Sequence, residues 1–269
     1  MILSDLALSQ RLERAEGHAC AQFAEARRRL FPQSGAEWIQ CAGAYAVFDG
    51  VGSPLTQTFG LGLFEALTPE ALDTIEAFFQ QRGATVEHEV SPFAGVPALE
   101  LLCWRNYRPI EISNVLVRDV KSHGTSQEAN ITVRVISKNE AALWSDVSAR
   151  GWTHEHPELR EFLTEMGTIA TQRRDGPCFL AELQGKPGAA GALCLHEGVA
   201  LFGGAATVPE MRRQGLQTAL MNARMCYAAE HECDLAMVVT LPGSESQRNA
   251  QRRGFQVAYT RIKWKLMDR

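Results

Sequence analysis

The sequence lacks several features that mark membrane, secreted and nucleic-acid-binding proteins. No stretch approaches the roughly 20 consecutive apolar residues that a membrane-spanning helix requires. The N-terminus has no basic segment followed by a long apolar run, so we expect no secretory signal peptide. The net charge is −4, which gives no electrostatic reason to expect a nucleic acid or an anionic membrane surface as a partner.

The cysteines also lack a recognisable pattern. The chain contains seven of them, an odd number, and none are spaced as C-x-x-C. This distribution argues against a disulfide framework and against a zinc site. We therefore expect a cytoplasmic protein without a bound metal. With 269 residues, 45% of them hydrophobic and 22% charged, the chain is long enough for two globular domains of moderate size.

The most informative stretch is residues 207–220, which read T-V-P-E-M-R-R-Q-G-L-Q-T-A-L. The apolar, glycine-rich segment 199–206 before it predicts a buried strand, and the apolar residues after it recur at helical spacing. Pro209 removes a backbone donor, so the strand cannot simply continue, and Gly215 permits a close turn into a new helix. The stretch therefore predicts a strand, a tight turn and a helix.

The start of this helix is suited to an anion. The first N–H groups of a helix have no partners within it and carry a partial positive charge. Arg212 and Arg213 would add forked cationic donors on the same side, and Gly215 has no side chain to block the backbone. These features predict a pyrophosphate cradle. The alternative is that both arginines are solvated charges at an ordinary helix start.

The pattern V-P-x-x-R-x-x-G-L-x-x-x-L at residues 208–220 resembles motif A of the GNAT family of acyl-CoA N-acyltransferases. In that family an R/Q-x-x-G-x-G/A loop wraps the pyrophosphate of acetyl-CoA, so the resemblance implies an acyl-CoA site with acetyl-CoA as the default. The last small residue of the loop is replaced by Gln217, whose side chain would either crowd the pyrophosphate or point away from it. The implied cofactor-binding residues are Ala206, Val208, Arg212, Arg213, Gln214, Gly215, Leu216, Gln217, Thr218 and Asn249.

The order of predicted elements indicates two domains. Strands are predicted at 42–48, 56–63, 84–90, 110–117, 131–136, 178–183, 191–196, 199–206, 235–240 and 256–266. Helices are predicted at 4–30, between Thr68 as N-cap and Gly83 as stop, and at 96–107, 140–151, 156–171, 216–231 and 244–253. Residues 130–269 thus show the element order of one GNAT domain.

Residues 1–120 begin with a long helix. The elements after this helix have the order of the second half of a GNAT domain. Where a cradle would stand, however, Glu65 and Glu70 would repel a pyrophosphate, and no R-x-x-G is present. We therefore expect an α/β protein of the α+β, mixed-sheet type, built from two tandem GNAT-like domains. A degenerate domain at 1–120 and an acyl-CoA-binding domain at 130–269 would be joined by a polar linker at 119–130.

The resemblance also implies a direct attack of a neutral amine on a thioester, without a covalent enzyme intermediate. This reaction needs a base for the amine and an acid for the leaving thiolate. In many members the acid is a tyrosine four residues before a Gly-Phe pair, which here is Gly254 and Phe255, and Ala250 stands at that position. A main-chain N–H near Ala206 or Val208 would polarise the thioester carbonyl, as in an oxyanion hole.

His196 and Glu155 are the candidate catalytic bases. Histidine exchanges protons near neutral pH, although H-E-G at residues 196–198 is also a plain hairpin turn. Glu155 lies where GNAT enzymes usually build the acceptor site, although a helix start also simply favours an acid. Asn249 resembles residues that face the pantetheine arm, with simple exposure as its alternative. The glycines at 203–204 would let the pantetheine approach the strand, would mark a β-bulge, or both.

The sequence therefore predicts an acetyl-CoA-dependent N-acetyltransferase with a small amine as acceptor. A non-catalytic acyl-CoA sensor or regulatory module is the second hypothesis, which the missing tyrosine and Gln217 favour. A structural protein on the same scaffold is the third. The acceptor, the acyl chain length and the oligomeric state stay open.

Overall fold

The computed structural model describes residues 3–120, 130–153 and 157–268. The chain forms two compact units: the first comprises Met1–Arg118 and Met237–Arg269, and the second comprises Asp119–Ala236. The proposed division into domains at 1–120 and 130–269 stays a prediction. Residues 121–129, most of the proposed linker, lie outside the described residues.

The described helices and strands alternate along the chain. The helices are α1 (Leu6–Leu30), α2 (Pro69–Gln80), α3 (Gly95–Trp104), α4 (Ala141–Trp152), α5 (Arg160–Ala170), α6 (Leu216–Glu230) and α7 (Glu245–Arg252). The strands are β1 (Glu37–Cys41), β2 (Ala44–Phe48), β3 (Gln57–Phe59), β4 (Glu87–Val90), β5 (Tyr107–Asp119), β6 (Ile131–Val135), β7 (Cys178–Leu183), β8 (Lys186–His196), β9 (Val199–Thr207), β10 (Leu235–Thr240) and β11 (Gln256–Leu266). The α/β class predicted from the sequence is confirmed.

The first unit is built on a mixed sheet in the order β1-β2-β3-β4-β11-β5. Strands β3 and β4 are parallel and pair at Thr58 and His88. The late strand β11 runs antiparallel to both β4 and β5. Residues near the end of the chain therefore complete a sheet that begins near its start.

Local signals explain two helices of the first unit. The Asp5 side chain caps α1 by accepting a hydrogen bond from Leu8 N at 2.8 Å. Thr68 caps α2 in the same way, and Pro69 occupies the first helical position, where a missing N–H costs nothing. Both helices were predicted with nearly these bounds. Within the described residues, no helix has the length and apolar character that crossing a membrane requires.

The second unit is an antiparallel sheet, β6-β7-β8-β9, with helices on both faces. Trp144 of α4 is buried against Leu180 of β7, and its Nε1 donates to Phe179 O at 2.8 Å. On the other face, the ring of Tyr227 from α6 makes an edge contact with the Phe179 ring at 5.5 Å between centroids. Because consecutive strand residues point to opposite faces, α4 and α6 lie on opposite sides of this sheet.

Three strands differ most from the sequence prediction. Strand β1 was not predicted, because its mixture of exposed and half-buried residues lacks a clear alternation. The strand predicted at 56–63 is only Gln57–Phe59, since Gly60 and Gly62 both have positive φ and turn the chain. Strand β8 begins at Lys186 rather than at residue 191, because the tight turn before it uses only residues 184–185.

A buried charge cluster lies between α1 and the sheet of the first unit. Arg261 of β11 is 1% exposed and contacts the carboxylates of Glu13 at 3.0 Å, Glu16 at 2.7 Å and Glu89 at 3.0 Å. Burial raises the pKa of Glu13, whereas Arg261 acts to lower it, and the same two effects oppose each other at Glu89. Arg261 therefore makes it possible to bury several carboxylates together.

Arg261→Met tests this cluster. We expect the free energy of unfolding to fall by about 3 to 5 kcal/mol, because the change leaves buried carboxylates without their cation. A carboxyl whose folded pKa is raised stabilises the fold below its unfolded pKa and loses this effect as pH rises through the folded value. The loss in Arg261→Met should therefore be larger near pH 8 than near pH 5, as urea unfolding would measure. Arg82→Met, which removes an exposed ion pair with Glu37, is the control. If Arg261→Met lost the same unfolding free energy at both pH values, this account would be contradicted.

Candidate functional site

The turn that joins β9 to α6 is anchored at both ends. Val208 is buried, and its N–H donates to Gly188 O of β8 at 2.9 Å. A short 3-10 turn at Pro209–Met211 follows, and Leu216 at the start of α6 is buried again. A Cβ added to Gly188 would lie 3.1 Å from Leu216 Cδ1, so the beginning of the helix packs closely on β8. The position of the helix start is thus fixed by the sheet.

Two residues with positive φ shape the end of this turn. Arg213 has a φ of 62°, and Gly215, the N-cap residue of α6, has a φ of 88°. Glycine adopts this left-handed conformation without steric cost, which explains the Gly at this position. As the sequence predicted, the helix begins directly after Gly215, and its first N–H groups lie beyond the reach of partners within the helix.

Polar side chains surround the helix start. Arg212 is exposed, and its Nη2 donates to Gly151 O of α4 at 3.1 Å. Arg213 and Gln214 are exposed as well, and Gln214 Nε2 donates to Glu210 O at 3.1 Å. The Gln217 side chain donates to Thr207 Oγ1 at 2.7 Å, which holds its amide at the end of β9. Two guanidinium groups and a helix N-terminus together favour an anion such as a pyrophosphate.

Strand β9 contains a bulge shortly before the turn. The register pairs Ala192 with Gly203 and Ala190 with Ala206, so residues 204 and 205 of β9 face only Gly191 of β8. Gly204 has a φ of 59°, and both Gly203 and Gly204 are exposed. The bulge interpretation of this glycine pair is confirmed. It leaves the backbone of β9 uncovered by side chains at this point.

The sequence and fold comparisons agree with this geometry. Residues 140–255 match the sequence model of the family described as Acetyltransferase (GNAT) family. This stretch, a little less than half of the chain, is similar to GNAT acetyltransferase domains. It contains the bulge, the anchored turn and the whole of α6. No curated protein matches the chain in sequence.

Several solved structures share the fold over most of the chain. A GCN5-related N-acetyltransferase from Kribbella flavida is 19% identical, with a TM-score of 0.64 over 93% of this chain and 96% of that one. A GCN5-related N-acetyltransferase from Sphaerobacter thermophilus is 16% identical, with a TM-score of 0.56 over 94% and 92%. A tandem GNAT protein from the clavulanic acid biosynthesis pathway is 14% identical, with a TM-score of 0.57 over 84% and 79%. At these identities the likeness concerns the fold, and it confirms the GNAT fold predicted from the sequence.

The structure brings together most of the predicted cofactor-binding residues of the GNAT domain. They follow one another through the end of β9, the turn and the first turn of α6, and they are Ala206, Val208, Arg212, Arg213, Gln214, Gly215, Leu216, Gln217 and Thr218. The N–H of Val208 already donates to Gly188 O, so it does not suit the predicted role of polarising a thioester. Asn249 is exposed on α7 and belongs to the first unit, so its contact with a pantetheine stays a prediction.

The predicted base His196 does not lie at this turn. His196 ends β8 and pairs with Val199, and the intervening Glu197 and Gly198 form a tight hairpin turn with φ values of 45° and 74°. The whole length of β9, roughly 25 Å at the usual rise per residue, separates this hairpin from the turn into α6. His196 therefore lies away from the turn into α6, and its role as a base stays a prediction. Glu155 lies outside the described residues.

Sequence reasoning missed Arg224, which is buried on α6 beneath the bulge. The signal was present, because Leu216, Leu220 and Arg224 follow one another at four-residue spacing and so share one helix face. An arginine on the apolar face of a helix is unusual.

Gln217→Ala tests how the turn is held. The change removes the hydrogen bond to Thr207 Oγ1, so we expect the free energy of unfolding to fall by about 1 kcal/mol. Amide exchange at residues 207–218 should also become faster. Gln214→Ala removes an exposed contact with Glu210 O and serves as the matched control, with a smaller expected loss. If the two variants lost equal stability and exchanged alike, the Gln217 contact would have no special role in the turn.

Proposed function

We propose that the protein is an acyl-CoA-dependent N-acyltransferase that uses acetyl-CoA and transfers the acetyl group directly to a small amine. The match of residues 140–255 to the GNAT acetyltransferase family supports acyl transfer as the class of reaction. The single observation that carries the proposal is the turn at Gly215, which exposes a helix start beside Arg212 and Arg213. We keep the cytoplasm as the proposed location.

The residues of the turn fit a pyrophosphate group. The main-chain N–H groups of Leu216, Gln217 and Thr218 lie in the first turn of α6, where they are oriented toward an anion. Arg212 and Arg213 would add charge-assisted hydrogen bonds. Gln217 is held by Thr207 at the end of β9, which limits how far its amide reaches across the helix start. When bound, acetyl-CoA supplies the activated thioester.

The acceptor amine must lose a proton before it attacks. Strand β9 offers no acidic or basic side chain for this step, since it reads V-A-L-F-G-G-A-A-T. Glu155 stays the proposed base, and a chain of water molecules would serve the same purpose. Ala250 is buried and cannot donate a proton to the leaving thiolate. A solvent molecule or another side chain must therefore act as the acid.

A non-catalytic acyl-CoA sensor is the second candidate function. The alanine at position 250 and the lack of an ionisable side chain in β9 favour it. The two functions share the pyrophosphate cradle and differ only in turnover. Release of free CoA thiol during incubation with acetyl-CoA and a broad panel of small amines separates them. Turnover with any amine excludes the sensor, whereas binding without turnover on the whole panel favours it.

Gly215→Glu tests the cradle by calorimetric titration with acetyl-CoA and CoA. A carboxylate at the helix start would repel the pyrophosphate and fill the space beside the backbone, so we expect at least about a hundredfold loss of affinity. The substitution also strains a residue with positive φ, at a cost of about 1 to 2 kcal/mol. Thermal unfolding measures this cost separately.

Gly198→Glu is the matched control for Gly215→Glu. Gly198 has a φ of 74° and lies at the opposite end of β9, in the hairpin after His196. The control therefore adds the same charge and a similar backbone strain far from the turn, and we expect its acetyl-CoA affinity to equal that of the wild type. Equal losses in both variants would show that strain, not the cradle, matters. Absence of binding to the wild type would overturn the proposal.

A further inference from the structure

Arg224 occupies an unusual position in the second unit. Its side chain extends from α6 to the underside of the bulge in β9, and it is 1% exposed. The guanidinium fits there because Gly191, the β8 residue opposite the bulge, has no side chain. A Cβ added to Gly191 would lie 3.2 Å from Arg224 Cζ and 2.9 Å from Leu220 Cδ2. Helix α6, the bulge and Gly191 therefore form one arrangement around this cation.

The guanidinium bridges the two strands where the register changes. Arg224 Nη1 donates to Ala192 O of β8 at 3.2 Å and to Gly203 O of β9 at 3.4 Å, and these two residues face each other in the register. Its Nε donates to Leu220 O within α6 at 3.3 Å. A β-bulge interrupts the regular hydrogen bonds between strands. Arg224 supplies additional hydrogen bonds at Ala192 and Gly203, the last regularly paired residues before the bulge.

Burying the charged guanidinium of Arg224 costs free energy. Among the described residues, the guanidinium contacts main-chain carbonyls and the ring of Phe202, whose centroid is 4.8 Å from Cζ. Burial lowers the pKa of Arg224 to about 9, so the group is still protonated at neutral pH. A buried cation without a carboxylate partner is unfavourable relative to an apolar side chain of similar size. If packing were the only role of this position, an apolar side chain such as methionine would stabilise the fold more.

The two hydrogen bonds fix the orientation of one peptide group. Because the same nitrogen reaches Ala192 O and Gly203 O, the Gly203 carbonyl points toward β8. In a trans peptide the N–H points opposite to the carbonyl, so the N–H of Gly204 points toward the other edge of β9. Gly203 and Gly204 are exposed, and a Cβ added to Gly203 would meet no atom within 4 Å. A ligand can therefore approach this peptide group.

We propose that Arg224 is a positioning residue, which holds the Gly203–Gly204 peptide so that the Gly204 N–H donates to the thioester oxygen of a bound acyl-CoA. This inference rests on the proposed function. The buried cation also polarises the peptide from the carbonyl side, which strengthens its N–H as a donor. Such a main-chain donor matters most where negative charge develops on an oxygen.

The donor would act on one stage of the transfer. As the amine nitrogen bonds to the carbonyl carbon, the π electron pair moves onto the oxygen, where the Gly204 N–H stabilises it. The pair then re-forms the carbonyl while the carbon–sulfur bond breaks and its electrons leave on sulfur. The proton lost by the amine balances the proton gained by the thiolate, directly or through solvent. Arg224 itself neither gains nor loses a proton.

Calorimetric titration of acetyl-CoA and CoA into Arg224→Met tests this role. Both ligands carry the same nucleotide and pantetheine, and only acetyl-CoA has the thioester oxygen. We expect acetyl-CoA affinity to fall about fivefold and CoA affinity to change by less than about twofold, since one hydrogen bond is weakened. Arg224→Lys keeps the charge but cannot bridge both carbonyls in the same way, so its loss should be intermediate. Arg160→Met, which removes an exposed arginine of α5, should bind both ligands like the wild type.

A loss of affinity that is equal for both ligands would show a merely structural role and overturn the inference, as would unchanged acetyl-CoA binding by Arg224→Met. If the wild type bound neither ligand, the acyl-CoA site itself would be wrong, and this inference would fall with it. Gly191→Ala keeps Arg224 and displaces its guanidinium, so it should reproduce the selective loss of acetyl-CoA affinity. This variant and Arg224→Lys carry the test if Arg224→Met does not fold.

Discussion

The turn from β9 into α6 is the constraint on which the candidate site depends. The chain must leave the sheet at Val208 and start a helix at Leu216, and both side chains are buried. Between them, the left-handed conformation of Gly215 lets the helix begin with its first N–H groups uncovered. The suitability of the site for an anion is therefore a consequence of backbone geometry, and the arginines add charge to it. A side chain at position 215 would affect geometry and access together.

The two units use their polar residues differently. In the first unit, Arg261 and its carboxylate partners are buried and serve the stability of the sheet. Glu65 and Glu70 are exposed near the start of α2, where a pyrophosphate cradle would require positive charge. In the second unit the corresponding helix start carries Arg212 and Arg213. This contrast is consistent with a tandem protein in which only one half keeps the residues of an acyl-CoA cradle.

Features that depend on neighbouring residues could be predicted from the sequence. Asp5, Thr68 and Ser244 are N-caps, and each begins a helix close to its predicted position. The turn at Gly215 was equally predictable, because Pro209, Gly215 and the apolar residues around them specify it locally.

Features that depend on distant residues were not predicted. The pairing of β11 with β4 and β5 joins parts of the chain that are far apart in sequence, and no local pattern specifies it. The separation of the His196 hairpin from the turn into α6 was not predicted either, because it follows from the length of β9. The role of Arg224 also required the fold, because it depends on the register step between β8 and β9 and on the space at Gly191.

Amide hydrogen exchange of the wild type with and without saturating CoA tests the central claim most directly. If the turn is a pyrophosphate cradle, exchange at residues 212–218 should slow by about tenfold or more, because these N–H groups gain a bound anion as partner. Exchange in α5, on the opposite face of the sheet from α6, should stay unchanged. Protection that is absent from residues 212–218, or that is confined to the first unit, would contradict the account.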